Sequence, residues 1–294
     1  MLVSIVIRTY NEERYLPELL RQIQLQTTPN FESEVVLVDS GSTDKTLEIA
    51  KSFNLNIVHI SKSEFTFGRS LNIGCDAAKG DYLVFISGHC IPCDTSWLKN
   101  LVEPLLNGDC AYSYGRQVGH ETSKFSEKQL LKKYFPEQGF SISSKGIFCN
   151  NANAALSKSV WLEYPFDEKL TGLEDMALAK KIVAEGYAIG YVCESSVFHI
   201  HEESWKGVRT RYEREAIALQ SIMPEVHVGY GDFLRYYFSS LFHDFGTAIG
   251  EKVLLRYFGQ IVMFRLMQYW GTYRGNHDHR KMSERLKEEY FYPK

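Results

Sequence analysis

Val3-Ser4-Ile5-Val6-Ile7-Arg8-Thr9-Tyr10-Asn11-Glu12 opens the chain and decides how the rest is read. The run from Leu2 to Ile7 is short, apolar and largely β-branched, the pattern of a strand buried on both faces of a parallel sheet. It gives way at once to a polar loop. Leu16, Leu19, Leu20 and Ile23 then recur at helical spacing, with Pro17 tolerable only in the first turn. Val35-Val36-Leu37-Val38 is a second buried strand ending at Asp39, and Ser40-Gly41-Ser42-Thr43-Asp44 is a turn able to cap a helix over 45–53. Residues 56–60 read as a third strand, 68–79 as a helix and 82–86 as a fourth strand ending at Ser87-Gly88-His89-Cys90. Alternating strands and helices predict an α/β fold with a doubly wound sheet. Such sheets bind ligands at the carboxyl ends of their strands.

Further along, Asn150 to Leu156 reads as a strand with amide side chains on one face. Glu174-Asp175 opens a helix that stops at Gly186, and Tyr191 to His199 is a further strand. From Val208 onward the pattern is helical.

Composition narrows the function. The chain has 294 residues, 44% of them hydrophobic and 23% charged, which excludes a disordered chain or a disulfide scaffold. Its 33 basic and 36 acidic residues leave a net charge of −3, unsuited to general nucleic-acid binding. Cys90-Ile-Pro-Cys93 has no second CxxC and reads as reduced thiols in a cytosolic protein rather than a zinc ribbon. The start lacks a basic leader and cleavage site, and no apolar run is long enough to span a bilayer.

The opening string, followed by Val38-Asp39-Ser40-Gly41-Ser42-Thr43-Asp44, Leu71-Asn72-Ile73-Gly74, Gly80-Asp81-Tyr82-Leu83-Val84-Phe85-Ile86, Gly172-Leu173-Glu174-Asp175 and Val197-Phe198-His199, resembles family-2 glycosyltransferases in content and order. The resemblance covers residues 1 to about 205. It implies the A-type glycosyltransferase fold, a nucleotide-binding, doubly wound mixed sheet, as a catalytic domain over 1–205 with a helical C-terminal extension over 206–294. It also implies an inverting enzyme that moves a sugar from a nucleotide-diphosphate donor (UDP-, dTDP- or GDP-linked) to a glycan or lipid-linked acceptor in bacterial surface polysaccharide synthesis. Such enzymes usually carry a metal-holding Asp-x-Asp after the fourth strand. Here Ser87-Gly88-His89-Cys90-Ile91-Pro92 stands instead, as in a bacterial rhamnosyltransferase-like branch that shares the proline and a stretch like Tyr114-Gly115-Arg116-Gln117. Leu71 stands where many relatives have arginine, with Arg69 the nearest substitute.

The chemistry to be supplied is donor binding, neutralisation of the leaving diphosphate, deprotonation of the acceptor and alignment of the two. With the resemblance, Asp39 is the candidate nucleotide contact, with Arg8, Tyr10 and Glu12 on the neighbouring loop; its alternative is a turn cap. Asp175 is the candidate general base and Glu174 its orienting partner; the alternative is a pair of helix-start acids. His89 and His199 are candidate ligands for a divalent metal, Mn before Mg because the donors are imidazoles. The alternative is a protonated His89 on the diphosphate. His201, two residues on, shares a face with His199 if the strand continues. Arg209 and Arg211 are candidate diphosphate clamps. Asn151, Asn153 and Trp205 are candidates for the acceptor.

The tail, with Tyr236, Tyr237, Phe238, Leu241 and Phe242 and then Val253, Leu254, Leu255, Tyr257 and Phe258, reads as packing or homodimer contact ahead of peripheral docking on the inner face of a membrane. Two other functions compete. A nucleotidyltransferase would need a glycine-rich loop after the first strand, and residues 8–16 contain no glycine. A non-catalytic nucleotide-sugar or glycan-binding protein is disfavoured by the presence of Glu174-Asp175.

Overall fold

The computed structural model describes residues 1–139, 141–277 and 290–291. Its contacts divide into two compact units: 1–120, 134–169 and 174–200 form the first; 121–133, 170–173 and 201–294 form the second.

The first unit holds one mixed nine-stranded sheet. Its strands are β1 (Leu2–Thr9), β2 (Glu32–Asp39), β3 (Asn56–His59), β4 (Tyr82–Ser87), β5 (Cys90–Pro92), β6 (Tyr112–Gly119), β7 (Ser141–Ser143), β8 (Asn153–Ser157) and β9 (Ile189–His199). The order is β3-β2-β1-β4-β8-β6-β9-β5, with β7 paired to β9. β3, β2, β1 and β4 are parallel, β8 runs antiparallel between β4 and β6, and β5 runs antiparallel on β9. The helices are α1 (Leu16–Gln24), α2 (Thr46–Lys51), α3 (Phe67–Ala77), α4 (Trp97–Leu106), α5 (Phe125–Tyr134, almost all in the second unit), α6 (Lys158–Glu163) and α7 (Glu174–Ala184).

The period of two in β1 sorts its side chains between two cores. Val3, Ile5 and Ile7 pack with Leu16, Leu19 and Leu20 of α1 and Trp97 and Leu101 of α4. Val6 turns to the other face, with Val36, Val38 and Phe85, against Leu71 and Cys75 of α3 and Leu178 and Ile182 of α7. Helices therefore cover both faces, as the continuous apolar strands require. Gly74 lets α3 lie close on the sheet, because a Cβ there would strike Val6 and Val38. Pro17 does sit in the first turn of α1, and Gly186, at φ +91°, follows α7. The amide-bearing strand begins later than the sequence suggests. β8 starts at Asn153, and Asn150 and Asn151 lie ahead of it, where Ala152 N donates to Asn150 Oδ1 at 3.0 Å.

The second unit adds α8 (Trp205–Ile222), α9 (Tyr230–Gly250) and α10 (Leu254–Asn276). Gly271 sits where a Cβ would meet the Arg209 carbonyl, which lets α10 approach α8 closely. α9 and α10 are joined by a buried bidentate pair: Arg265 Nε and Nη2 each donate to Asp244 at 2.7 Å. The helical extension expected to reach residue 294 is described only to 277 and at 290–291.

Candidate active site

The parallel register sets Thr9 beside Asp39 and Arg8 beside Ser87, so the first loops of β1, β2 and β4 open on one edge. The β1–α1 and β2–α2 loops are tied together. Asn11, at φ +57°, accepts from Thr43 N at 2.8 Å and donates its own N–H to Ser42 Oγ at 2.9 Å. Glu12 N donates to Thr46 Oγ1 at 2.7 Å, and Glu13 N to Asp44 at 3.0 Å. Asp39 is 1% exposed, and its Oδ2 accepts from Gly41 N at 3.0 Å and Ser42 N at 3.1 Å. The turn-capping alternative for Asp39 is thus realised, with His59 Nδ1 3.8 Å from the same oxygen. Tyr10 carries a partner that sequence reasoning missed. Lys62 Nζ donates to its hydroxyl at 2.8 Å and lies 4.7 Å from its ring centre. Arg69 lies in the first turn of α3, its guanidinium 3.3 Å from Glu64, on the surface.

Glu174 and Asp175 begin α7 and are 5% and 7% exposed. Arg8 Nη1 donates to Glu174 at 3.1 Å, so Arg8 is tied to the acidic pair rather than presented on the nucleotide loop alone. Asp175 Oδ2 accepts from Asn151 N at 2.9 Å and Oδ1 from Met176 N at 2.8 Å. Burial and then the Glu174 charge push its carboxyl up to about 7, against the pull of those N–H groups and Arg8. A carboxyl poised near neutrality at the strand ends is matched to proton transfer at physiological pH. The Asn151 side chain accepts from the Tyr112 hydroxyl, while its buried Nδ2 has no partner among the described residues.

Because β5 pairs with β9, Cys90 lies opposite His199 and His89 arrives beside it. The two imidazoles stack at 14° with centroids 5.3 Å apart, and they offer ligand atoms within 4.8 Å of one another. His89 Nδ1 meets Glu12 Oε1 at 2.7 Å, and His199 Nδ1 meets Gln117 Oε1 at 2.6 Å. An acceptor on Nδ1 fixes the proton there and leaves Nε2 as the basic nitrogen, the arrangement that orients metal-binding histidines. The donor set fits a divalent ion. Glu12, expected on the nucleotide, is thus the partner of His89. In the sequence, Gln117 carries only the family resemblance. Its role was hidden because β6 and β9 bring it to His199 across 82 residues.

Other expectations fare differently. Asn153 is fully buried and spends its amide on the scaffold: Trp97 Nε1 donates to it at 2.8 Å, and it donates to Ser195 O at 2.8 Å and Arg116 O at 3.1 Å. It is a strand-locking residue, and the acceptor role is corrected on that ground. In the second unit, β9 having ended at His199, His201 does not continue the strand face; its Nδ1 meets Glu127 at 2.9 Å. Arg211 Nη2 meets both Glu203 and Glu127 at 2.9 Å, so its charge is already matched and the clamp reading does not hold for it. Arg209 keeps only a 3.9 Å approach to Glu213, and its buried Nε lacks a hydrogen-bond partner among the described residues. Trp205 opens α8 with Lys124 Nζ 5.6 Å from its ring centre.

A mixed sheet with tethered strand-end loops, a poised carboxyl and a histidine pair is the layout of a nucleotide-sugar-dependent transferase. Residues 4–164 match the family described as glycosyl transferase family 2, and the chain belongs to it. It is a glycosyltransferase. It is 28% identical over 276 residues to the O-antigen chain rhamnosyltransferase RfbN of Salmonella typhimurium, covering 85% of this chain and 78% of that one. It is 27% identical to WbaN of Salmonella anatum, also an O-antigen chain rhamnosyltransferase, over 84% and 76%. Among solved structures, a Pyrobaculum calidifontis mannosyltransferase in complex with GDP-Man and Mn2+ superposes with TM-score 0.64 at 17% identity, covering 95% of this chain and 88% of that one. S. aureus TarS 1–349 in complex with UDP superposes with TM-score 0.58 at 18% identity, over 97% and 95%. These likenesses establish the A-type glycosyltransferase fold.

Proposed function

We propose that the protein is an inverting rhamnosyltransferase-type enzyme that extends a lipid-linked glycan for a bacterial surface polysaccharide. Residues 1–205 carry the catalysis. The two Salmonella relatives support the sugar and the pathway class. The observation that carries the mechanism is Asp175: buried, anchored on Asn151 N–H, and held near neutrality at the sheet's carboxyl edge.

Asp175 takes the proton of the acceptor hydroxyl as its oxygen attacks the anomeric carbon. The bond from that carbon to the diphosphate breaks on the opposite face, and the nucleoside diphosphate leaves with the electron pair. Glu174, fixed by Arg8, positions the base. Asp39 and Tyr10 on the tethered loops receive the nucleotide, and the Nδ2 of Asn151, without a partner among the described residues, suits a sugar hydroxyl. His89 and His199 would hold a divalent ion, Mn before Mg. Such an ion supplies charge against the departing diphosphate.

Transfer assayed across dTDP-, UDP- and GDP-linked sugars, with Asp175→Asn beside the wild type, tests the reading. The amide keeps the size but cannot accept the proton. Transfer should fall by ~10²-fold or more while calorimetric donor binding survives. Near-normal turnover in the variant would remove Asp175 from the mechanism. The same assay in excess EDTA should lose activity. Full turnover there would instead assign the diphosphate to a protonated His89 held by Glu12.

A further inference from the structure

The second unit carries an apolar face that its own packing leaves uncovered. On α9, Phe238, Phe242, Phe245 and Ile249 recur at i, i+4, i+7 and i+11 and so form one stripe. Phe245 stacks on Phe258 of α10, ring centres 5.2 Å apart, which joins the stripe to Leu255 one turn earlier. Exposure is 47% at Phe238, 67% at Phe242, 61% at Ile249, 97% at Leu255 and 52% at Phe258. The intervening residues of the same helices, Leu241, Ala248 and Ile261, are buried together. Packing within the unit therefore consumes one face of the hairpin and leaves the other to solvent, whereas the sequence reading favoured packing or dimerisation for the whole aromatic tail.

The charges around this face are one-sided. Lys252 and Arg256, both exposed, sit at the α9–α10 corner, and the neighbouring Glu251 faces Lys132 of α5 at 4.0 Å. This is a locally basic rim on a chain of net charge −3. We infer that the Phe238–Phe258 face docks on an anionic lipid surface, its phenylalanines and leucine entering the headgroup boundary while Lys252, Arg256 and Lys132 meet phosphates. A lipid surface fits better than a second copy on two counts. The exposed side chains present on the order of 500 Å² of apolar area, below the ~800 Å² per partner of a stable protein interface. A two-fold copy would also bring the basic rim against its own like charge. No described helix is long and apolar enough to cross a membrane, so the contact is one of lying on the surface. The inference complements a lipid-linked acceptor but is tested without donor or acceptor, so its failure is separable from that of the catalytic reading.

The full chain is sedimented with vesicles of phosphatidylethanolamine and phosphatidylglycerol, and with neutral phosphatidylcholine vesicles. Binding is expected to the anionic vesicles, weakened by salt, and reduced ~10-fold or more by Phe242→Ser with Leu255→Ser, whose exposed positions spare the fold. Lys252→Glu with Arg256→Glu should lower binding similarly, and transfer to a soluble acceptor should be unchanged in both variants. Absence of binding to anionic vesicles, or binding indifferent to all four substitutions, overturns the inference. So does a concentration-dependent dimer abolished by Leu255→Ser in the absence of vesicle binding, which assigns the face to a second copy.

Discussion

As the proposed base, Asp175 ties rate and stability together in one carboxyl. Unfolded, it titrates at ~3.9; folded, burial and Glu174 raise it to about 7. Between those values the folded chain holds a proton that the unfolded chain has released. Stability therefore falls as pH rises through that window, and above about 7 the whole penalty is present, at most on the order of 4 kcal/mol. The catalytic requirement runs the other way, since the base must be ionised. kcat should climb with pH and level off above about 7. Asp175→Asn should melt higher than the wild type at pH 8 and converge with it near pH 4. Melting curves that keep the same offset at both values would show that the charge is not what strains the site. Asp39 has a different double duty: the carboxylate proposed to meet the nucleotide also caps its own turn.

Elements made part of this architecture legible and hid the rest. β1, β2 and β4 were readable because strands buried on both faces are continuous apolar runs, whereas Asp39 and Asp175 stood out through the family resemblance and not through their positions. What could not be read is pairing across the chain. Glu12 finds His89 77 residues away, Asn153 locks Trp97, and Arg211 is matched by Glu203 and Glu127. Each choice depends on strand order or helix docking, and local spacing carries neither. The α9–α10 joint makes the same point energetically. Asp244 and Arg265 are 0% and 3% exposed at their side chains. Asp244→Ala should cost ~3–5 kcal/mol by leaving a buried guanidinium without its carboxylate. The double replacement Asp244→Leu with Arg265→Met should recover most of it, as read by urea unfolding. A single mutant as stable as the wild type would mean that water reaches the pair.

At the scale of the molecule, opposing titrations set a stability optimum. In the second unit, burial would raise Glu203, but Arg211 and His201 outweigh it and hold its carboxyl at about 2; Glu127 is lowered in the same way. Depressed carboxyls contribute stability above their unfolded values, and that contribution is lost as pH falls toward 2. Glu215, raised by burial, offsets part of it. Asp175 imposes the loss on the alkaline side. Thermal stability should peak at about pH 4, where the gain from the depressed carboxyls is nearly complete and the Asp175 loss is only beginning, and Asp175→Asn should flatten the alkaline limb. A peak at pH 8 in calorimetry would contradict both assignments.

The loops proposed to receive the nucleotide are already bound to each other through Asn11, Glu12 and Glu13. A cradle set before the ligand arrives has no disorder to surrender on binding and none to regain on release. Departure of the spent nucleoside diphosphate then requires no melting of this wall. On that proposal its residence time follows from the ligand's own contacts.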